Sequence, residues 1–177
     1  MDGRSVVATL ALTLAVSVPG PAQAAPPASA APPVSLSDRD GRPVRLADLL
    51  GRVLVVDFWA SWCGPCKQSF PALDELYAEL HARGLEVLAV SVDESRKDAD
   101  AFLAAHPHRM TVLFDPQAKA AEAFGVDGMP STFVIDRQGR VRSRHEGYTP
   151  GVTDAIRRQV EALLAEKGAA AASASPR

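Results

Sequence analysis

Apolar and polar residues alternate along this chain in patterns that predict strands and helices in alternation. A near-continuous apolar run over residues 52–57 is typical of a central strand covered on both faces, and residues 85–92 and 110–114 predict two further strands. Apolar residues at helical spacing lie between them, from residue 63 to residue 83 and again after Ser95. This alternation predicts a three-layer α/β domain around a mixed β-sheet flanked by helices.

Turn-forming residues mark the remaining elements. Residues 34–36 and 43–46 flank a polar turn at 38–41 and predict an N-terminal β-hairpin. We expect Pro71 to kink the first helix and Gly84 to end it. The C-terminal part of the pattern predicts a helix over residues 116–124, a hairpin of strands 131–135 and 140–145, and a last amphipathic helix marked by Val152, Ile156, Val160 and Leu163.

The first 24 residues have the pattern of a secretory signal peptide. Arg4 gives a weakly positive start, residues 6–18 form an apolar segment of 13 residues, and Ala22-Gln23-Ala24 fits a small-residue cleavage site. Thirteen residues are fewer than the roughly 20 that span a bilayer, but an uncleaved membrane anchor is the alternative. With either outcome we expect the domain to be periplasmic or otherwise extracytoplasmic.

Composition divides the rest of the chain. Residues 25–33 contain only Ala, Pro and Ser and predict a flexible linker, and the Ala- and Ser-rich residues 168–177 predict a disordered tail. Residues 34–167 then form a single domain of ordinary size. The formal net charge of −2 gives no reason to expect a nucleic acid as partner.

The two cysteines of the chain, Cys63 and Cys66, are separated by Gly64 and Pro65 at the predicted start of the first helix. This spacing suits thiol–disulfide exchange, in which one thiolate attacks and a second thiol resolves the mixed disulfide. A helix N-terminus lowers the pKa of a nearby thiol. We assign Cys63 as the attacking sulfur and Cys66, one turn further in, as the more buried resolving sulfur. A structural disulfide and half of a zinc site are the alternatives.

The segment from Asp57 to Lys67, DFWASWCGPCK, resembles the active-site segment of thioredoxins. Gly128-Met129-Pro130-Ser131-Thr132 adds to the resemblance, because thioredoxin-like proteins carry a cis-proline there that lies beside the cysteines and pairs with the substrate backbone. By this resemblance Met129–Pro130 is the cis bond, and an ordinary trans proline is the alternative. The implied substrate-binding residues are Trp62, Gly64, Pro65, Met129 and Pro130.

Asp57 is the one charge in a strand that otherwise reads as buried. Burial raises the pKa of a carboxyl group and makes it a plausible proton acceptor. In thioredoxins the matching aspartate helps to deprotonate the buried cysteine, so the resemblance implies that Asp57 acts on Cys66. A structural hydrogen bond at the strand end is the alternative.

An additional helix and strand over residues 95–114, with the N-terminal hairpin and the export signal, resemble the TlpA/ResA-like branch of exported proteins, which includes cytochrome c maturation reductases. The resemblance covers nearly all of residues 34–166. Two positions depart from that branch: Ser69 stands where its members often have glutamate, and Asp57 where they often have asparagine. These departures weaken the transfer of the branch's glutamate-assisted mechanism.

The resemblance implies an exported thiol–disulfide oxidoreductase that reduces protein disulfides with Cys63 and Cys66 and needs no cofactor beyond that redox-active pair. An extracytoplasmic reductant needs a membrane thiol-electron carrier as donor. A thiol-based copper chaperone is the alternative function, with His81, His106, His108 and His145 as the candidates to join the sulfurs. A peroxidase of the peroxiredoxin type is disfavoured, because Trp59, Ala60 and Ser61 stand where its PxxxTxxC pattern is expected.

Overall fold

One eight-stranded mixed sheet organises the described part of the chain. The computed structural model describes residues 29–149 and 151–166. The strands are β1 (Ser29–Ala30), β2 (Ser35–Asp38), β3 (Pro43–Arg45), β4 (Val53–Trp59), β5 (Leu85–Ser91), β6 (Thr111–Phe114), β7 (Ser131–Ile135) and β8 (Arg140–Glu146). Their order across the sheet is β1-β8-β7-β4-β5-β6-β2-β3, with β4, β5 and β6 parallel and the other pairs antiparallel.

The described residues also form four α-helices, three between strands and one after the last strand. They are α1 (Cys66–Leu80), α2 (Arg96–Ala105), α3 (Lys119–Ala123) and α4 (Val152–Ala165). Helix α1 continues through Pro71 and passes into a 3-10 turn, His81–Arg83, which ends at Gly84. Gly84 has φ of +104°, a left-handed conformation that favours glycine, so the predicted stop is confirmed.

The sheet separates two apolar clusters, which confirms the three-layer α/β class. Alternate residues of β4 point to opposite faces. Val53, Val55 and Trp59 join a cluster with α1, α2 and α4, whereas Leu54, Val56 and Phe58 join one with α3 and the N-terminal hairpin. The first cluster includes both cysteines, so we refer to it as the cysteine-side cluster.

The parallel strands β4 and β5 bring their C-terminal ends to one edge of the sheet, and α1 begins just beyond β4. In open α/β sheets this edge is where functional groups collect. Ser131, the first residue of β7, pairs there with Phe58, so the 128–130 loop reaches the same edge. The fold therefore places the two candidate motifs at one end of the molecule.

The largest differences from the sequence prediction lie at three places. The first helix begins at Cys66 rather than at residue 63, because residues 61–65 form turns. Helix α3 begins at Lys119 rather than at residue 116, after Ala118 in a left-handed conformation with φ of 53°. Ser29 and Ala30, which belong to the predicted flexible linker, pair with β8 as strand β1.

The predicted signal peptide and C-terminal tail lie outside the described residues. Within residues 29–149 and 151–166, none of the helices has the length and apolar character needed to cross a bilayer. The assignment of residues 34–167 as the domain stays a prediction.

Candidate active site

Cys63 and Cys66 are joined by a disulfide, with their Cα atoms 5.3 Å apart. Cys63 ends a turn in which its N–H donates to the Ala60 carbonyl at 3.1 Å, and Cys66 is the first residue of α1. The Cys66 N–H donates to the Cys63 sulfur at 3.2 Å. A backbone donor and the positive end of a helix therefore both face this sulfur, and both favour its thiolate once the pair is reduced.

The two sulfurs differ in how well they are covered. Cys66 is fully buried and Cys63 is 4% exposed, which agrees with the sequence expectation that Cys66 is the more buried of the two. An attacking sulfur must reach a partner, so the order of exposure favours Cys63 for that role. The separate chemical roles of the two residues stay a prediction.

The residues around Cys63 form an exposed surface. Trp62 is 72% exposed, and Gly64 and Pro65 are exposed in the turn between the cysteines. A Cβ atom added at Gly64 would contact nothing within 4 Å, so its small size is not required by packing within the chain. Open space beside Gly64 and an exposed indole give this surface room for a partner.

Asp57 is fully buried on the cysteine-side face of β4. The Thr132 hydroxyl donates to its Oδ1 at 2.7 Å, and no described residue donates to its Oδ2. Burial raises the pKa of Asp57 to about 7, against the smaller lowering effect of the Thr132 hydrogen bond. A carboxyl group with this pKa exchanges a proton readily at neutral pH.

The Met129–Pro130 peptide bond is cis, as the resemblance implied. Pro130 is buried, and half-buried Met129 packs against the cysteine-side cluster. The Gly147 N–H donates to the Pro130 carbonyl at 2.8 Å, and the Ser131 hydroxyl donates to the Gly128 carbonyl at 2.8 Å. These bonds fix the loop at the edge of the sheet where α1 begins.

The histidines considered for a metal site have other contacts. The His106 ring stacks on Phe102 with centroids 4.0 Å apart, and its Nδ1 lies 2.7 Å from the Phe102 carbonyl. His108 Nδ1 lies 3.0 Å from the His106 carbonyl. Among the residues that the structure describes, no group of three or more His, Cys, Asp or Glu side chains is arranged to hold a metal ion.

Sequence reasoning missed two residues beside the site. Thr132 is the hydrogen-bond partner of Asp57, and Asp93 accepts hydrogen bonds from Ser61, two residues before Cys63. Asp93 could have been identified from the sequence, because it is a charged residue that closely follows a strongly apolar strand. The C-terminal end of that strand lies at the edge of the sheet where functional groups collect. Ser69, at the position where the resembling branch often has glutamate, is buried, and its hydroxyl donates to the Cys66 carbonyl at 3.3 Å.

Comparisons with known proteins agree with this geometry. The model of the AhpC/TSA family matches residues 27–144. The thiol-disulfide oxidoreductase ResA of Geobacillus thermodenitrificans is 36% identical over 107 residues, which cover 60% of this chain and 62% of that protein. The chain thus matches less than two thirds of the length of this curated relative.

Solved structures support the same fold. A structure from Chlorobium tepidum, described as a thiol:disulfide interchange protein DsbE, is 43% identical with a TM-score of 0.75, and the match covers 77% of this chain and 96% of that one. The exposed lipoprotein thioredoxin Etrx1 of Streptococcus pneumoniae is 30% identical with a TM-score of 0.66, covering 75% and 100% respectively. The fold is thioredoxin-like, and the similarity to the TlpA/ResA-like branch is confirmed.

Proposed function

This chain belongs to the AhpC/TSA family, and we propose that it is a thiol–disulfide oxidoreductase that reduces disulfides in other proteins through Cys63 and Cys66. The observation that carries the proposal is the placement of these two sulfurs, bonded to each other at a helix N-terminus beside an exposed tryptophan. Relatives whose names state thiol–disulfide exchange support it.

The reaction uses the reduced pair and moves two electrons. The Cys63 thiolate attacks one sulfur of the substrate disulfide, which forms a mixed disulfide and releases the first substrate thiolate. The Cys66 thiolate then attacks the Cys63 sulfur, which forms the Cys63–Cys66 disulfide and releases the second substrate thiolate. The substrate disulfide is reduced to a dithiol, and the protein dithiol is oxidised to the bond seen in the structure.

Asp57 supplies the base for the second step. Cys66 is fully buried, and burial disfavours its thiolate, so its proton needs an acceptor within the protein. Asp57 lies on the same face of the sheet, and its pKa of about 7 leaves much of it ionised at neutral pH. In this proposal the proton passes from the Cys66 thiol to Asp57 as the sulfur attacks.

The substrate docks on the surface around Cys63. Trp62 provides an exposed aromatic contact, and the open side of Gly64 and Pro65 leaves room for a polypeptide backbone. The loop that carries Met129 and the cis Pro130 supplies the other wall. Protein substrates fit an exposed surface of this kind better than a small molecule, which prefers an enclosed pocket.

We place this activity outside the cytoplasm. The signal-like residues 1–24 motivate the placement, and the lipoprotein named among the similar structures is an exposed one. Turnover then requires a dithiol donor that carries electrons across the membrane. Mass spectrometry of protein from an extracytoplasmic fraction tests the placement, because cleavage after Ala24 predicts a mature chain that starts at Ala25.

A disulfide reduction assay tests the activity. The reduced protein should reduce insulin disulfides in the presence of a dithiol donor, and Cys63→Ser should abolish this reduction. Cys66→Ser should instead trap the substrate as a covalent mixed disulfide, visible by non-reducing electrophoresis. Activity that survives in Cys63→Ser would refute the proposal.

A further inference from the structure

A second buried carboxylate binds the chain two residues before Cys63, and the proposed reaction does not use it. Asp93 is 6% exposed and lies two residues beyond the end of β5. The Ser61 N–H lies 3.1 Å from its Oδ1 and 3.0 Å from its Oδ2, and the Ser61 hydroxyl donates to Oδ1 at 2.7 Å. The Ser91 hydroxyl donates to Oδ2 at 2.9 Å.

Every one of these donors is neutral. None of the ion pairs found among the described residues involves Asp93. Two hydroxyl groups and one backbone N–H therefore hold this carboxylate without a cation to neutralise it. An apolar side chain would cost less free energy to bury in the same place. A buried carboxylate with this many hydrogen bonds therefore indicates a specific role for Asp93.

The hydrogen bonds of Asp93 fix the turn that presents Cys63. Ser61 is the second residue of that turn, which the Cys63 N–H closes on the Ala60 carbonyl at 3.1 Å. Asp93 binds both polar hydrogens of Ser61, so it restrains the backbone just before Trp62 and Cys63. The Val92 N–H donates to the Trp59 carbonyl at 2.9 Å, which anchors the segment that follows β5 and carries Asp93 to the residue just before the same turn.

We propose that Asp93 is a positioning residue for Cys63, which holds the presenting turn through Ser61 and opposes the Cys63 thiolate with its negative charge. The inference rests on the proposed function. The positive end of α1 favours the thiolate, and a strongly stabilised thiolate makes a dithiol pair oxidising. A carboxylate bound to Ser61, two residues before Cys63, limits that effect and keeps the pair a reductant.

Asp93→Asn tests the charge, since it keeps the size of the side chain. The pH dependence of Cys63 alkylation by iodoacetamide in the reduced full chain should move to lower pH by about half a unit. The equilibrium constant for oxidation of the pair by glutathione should fall by about threefold or more. A midpoint equal to or above that of the unaltered protein would overturn the charge role.

Ser61→Ala tests the turn, because it removes one hydrogen bond and leaves the charge of Asp93 in place. Exchange with a protein disulfide should slow several-fold, whereas the alkylation midpoint stays unchanged. Because Asp93 acts through Ser61, the double variant should be no slower than Asp93→Asn alone. The positioning role would be overturned if the two substitutions slowed exchange additively in the double variant, or if Ser61→Ala did not slow it at all. Ser61→Ala also tests this role if Asp93→Asn does not fold.

Asp115→Asn is the matched control. Asp115 is also a buried carboxylate just beyond a parallel strand, but its side chain accepts from the Ala121 N–H and so holds α3. Asp115→Asn should leave the midpoint of Cys63 alkylation unchanged. A shift in this variant equal to that in Asp93→Asn would contradict a specific charge role for Asp93. Alkylation needs no protein substrate, so an unaltered protein that reduces no disulfide would refute the proposed function without deciding the role of Asp93.

Discussion

Asp57 is the proposed base of the resolving step, and its burial also bears on the stability of the fold. It is the only charged residue of β4, it is fully buried, and its pKa is raised to about 7. The Thr132 hydrogen bond is its contact with the neighbouring strand β7. Because this carboxyl group holds its proton to an unusually high pH, it affects both the rate of the proposed resolving step and the pH dependence of stability.

The first prediction concerns the resolving step. Asp57→Asn should slow attack of Cys66 on a Cys63–glutathione mixed disulfide by about 10²-fold, since a positioned general base contributes about that much. The rise of the rate around pH 7 should also disappear. Stopped-flow release of glutathione between pH 5 and pH 9 measures both effects.

Thr132→Val is the matched control for that experiment. It removes the hydrogen bond that lowers the pKa of Asp57 but keeps the carboxyl group. The inflection of the rate should then move to higher pH by roughly half to one unit. An unchanged profile in Asp57→Asn would show that Asp57 is not the base.

The second prediction concerns stability. The pKa of Asp57 in the folded protein is about 7, whereas the ordinary pKa of an aspartate is 3.8. Between these values the unfolded chain binds fewer protons, so this group lowers the free energy of unfolding as pH rises, by an amount on the order of 4 kcal/mol. Asp57→Asn should therefore gain stability relative to the unaltered protein between pH 4 and pH 8, as urea unfolding would show. Parallel pH curves would contradict the raised pKa.

Helix α1 is held to the start of β6 by one buried side chain. Asp74 accepts hydrogen bonds from the Met110 N–H at 3.1 Å and from the Arg109 guanidinium at 2.8 and 3.0 Å. Burial opposes ionisation of Asp74, but these bonds and that from the Arg109 N–H outweigh it and lower its pKa. This contact restrains the helix whose N-terminus carries Cys66.

The third prediction concerns the stability that the contacts of Asp74 with Arg109 and Met110 provide. Asp74→Asn should reduce the free energy of unfolding by about 1–3 kcal/mol at pH 7, because it weakens the hydrogen bonds made by the buried Met110 N–H and the Arg109 N–H. A depressed carboxyl pKa stabilises the fold above the unfolded pKa and loses that effect as pH falls through the folded one. The difference between the variant and the unaltered protein should therefore narrow as pH falls below the ordinary aspartate pKa, and exposed Glu75→Gln is the control.

The elements that the sequence predicted well are those with dense apolar patterns. Strands β4 and β5 were located to within two residues, because their apolar residues must all be buried. Strand β1 was missed because Ser29 and Ala30 have little strand preference and join the sheet through backbone pairing with β8. The late start of α3 depends on a turn in which the Ala118 N–H donates to the Asp115 carbonyl.

The candidate site divides in the same way. Cys63 and Cys66 stand out in the sequence because they are the only two cysteines and are separated by two residues. Asp57 stands out because it is the one charge in an apolar strand. Thr132 does not stand out, because its contact with Asp57 depends on the register between β4 and β7, which lie far apart in sequence. Contacts of this kind are set by the packing of the whole sheet and leave no local pattern.

At the scale of the whole molecule, the fold decides which redox state of the pair is preferred. A helix N-terminus and the Cys66 N–H favour the Cys63 thiolate. Burial of both sulfurs disfavours charge, and the carboxylate of Asp93 is bound to Ser61, two residues before Cys63. A dithiol whose reduced form is only weakly stabilised gives up its electrons readily, as in thioredoxin, whereas strong stabilisation makes an oxidant.

The equilibrium of the Cys63–Cys66 pair with glutathione measures this balance most directly. If the protein is a reductant, its potential should lie near that of thioredoxin, about −270 mV. The fractions of oxidised and reduced protein can be counted by alkylation and mass spectrometry across a series of glutathione ratios. A potential near −120 mV, typical of a disulfide-forming oxidant, would contradict the proposal that this chain reduces protein disulfides.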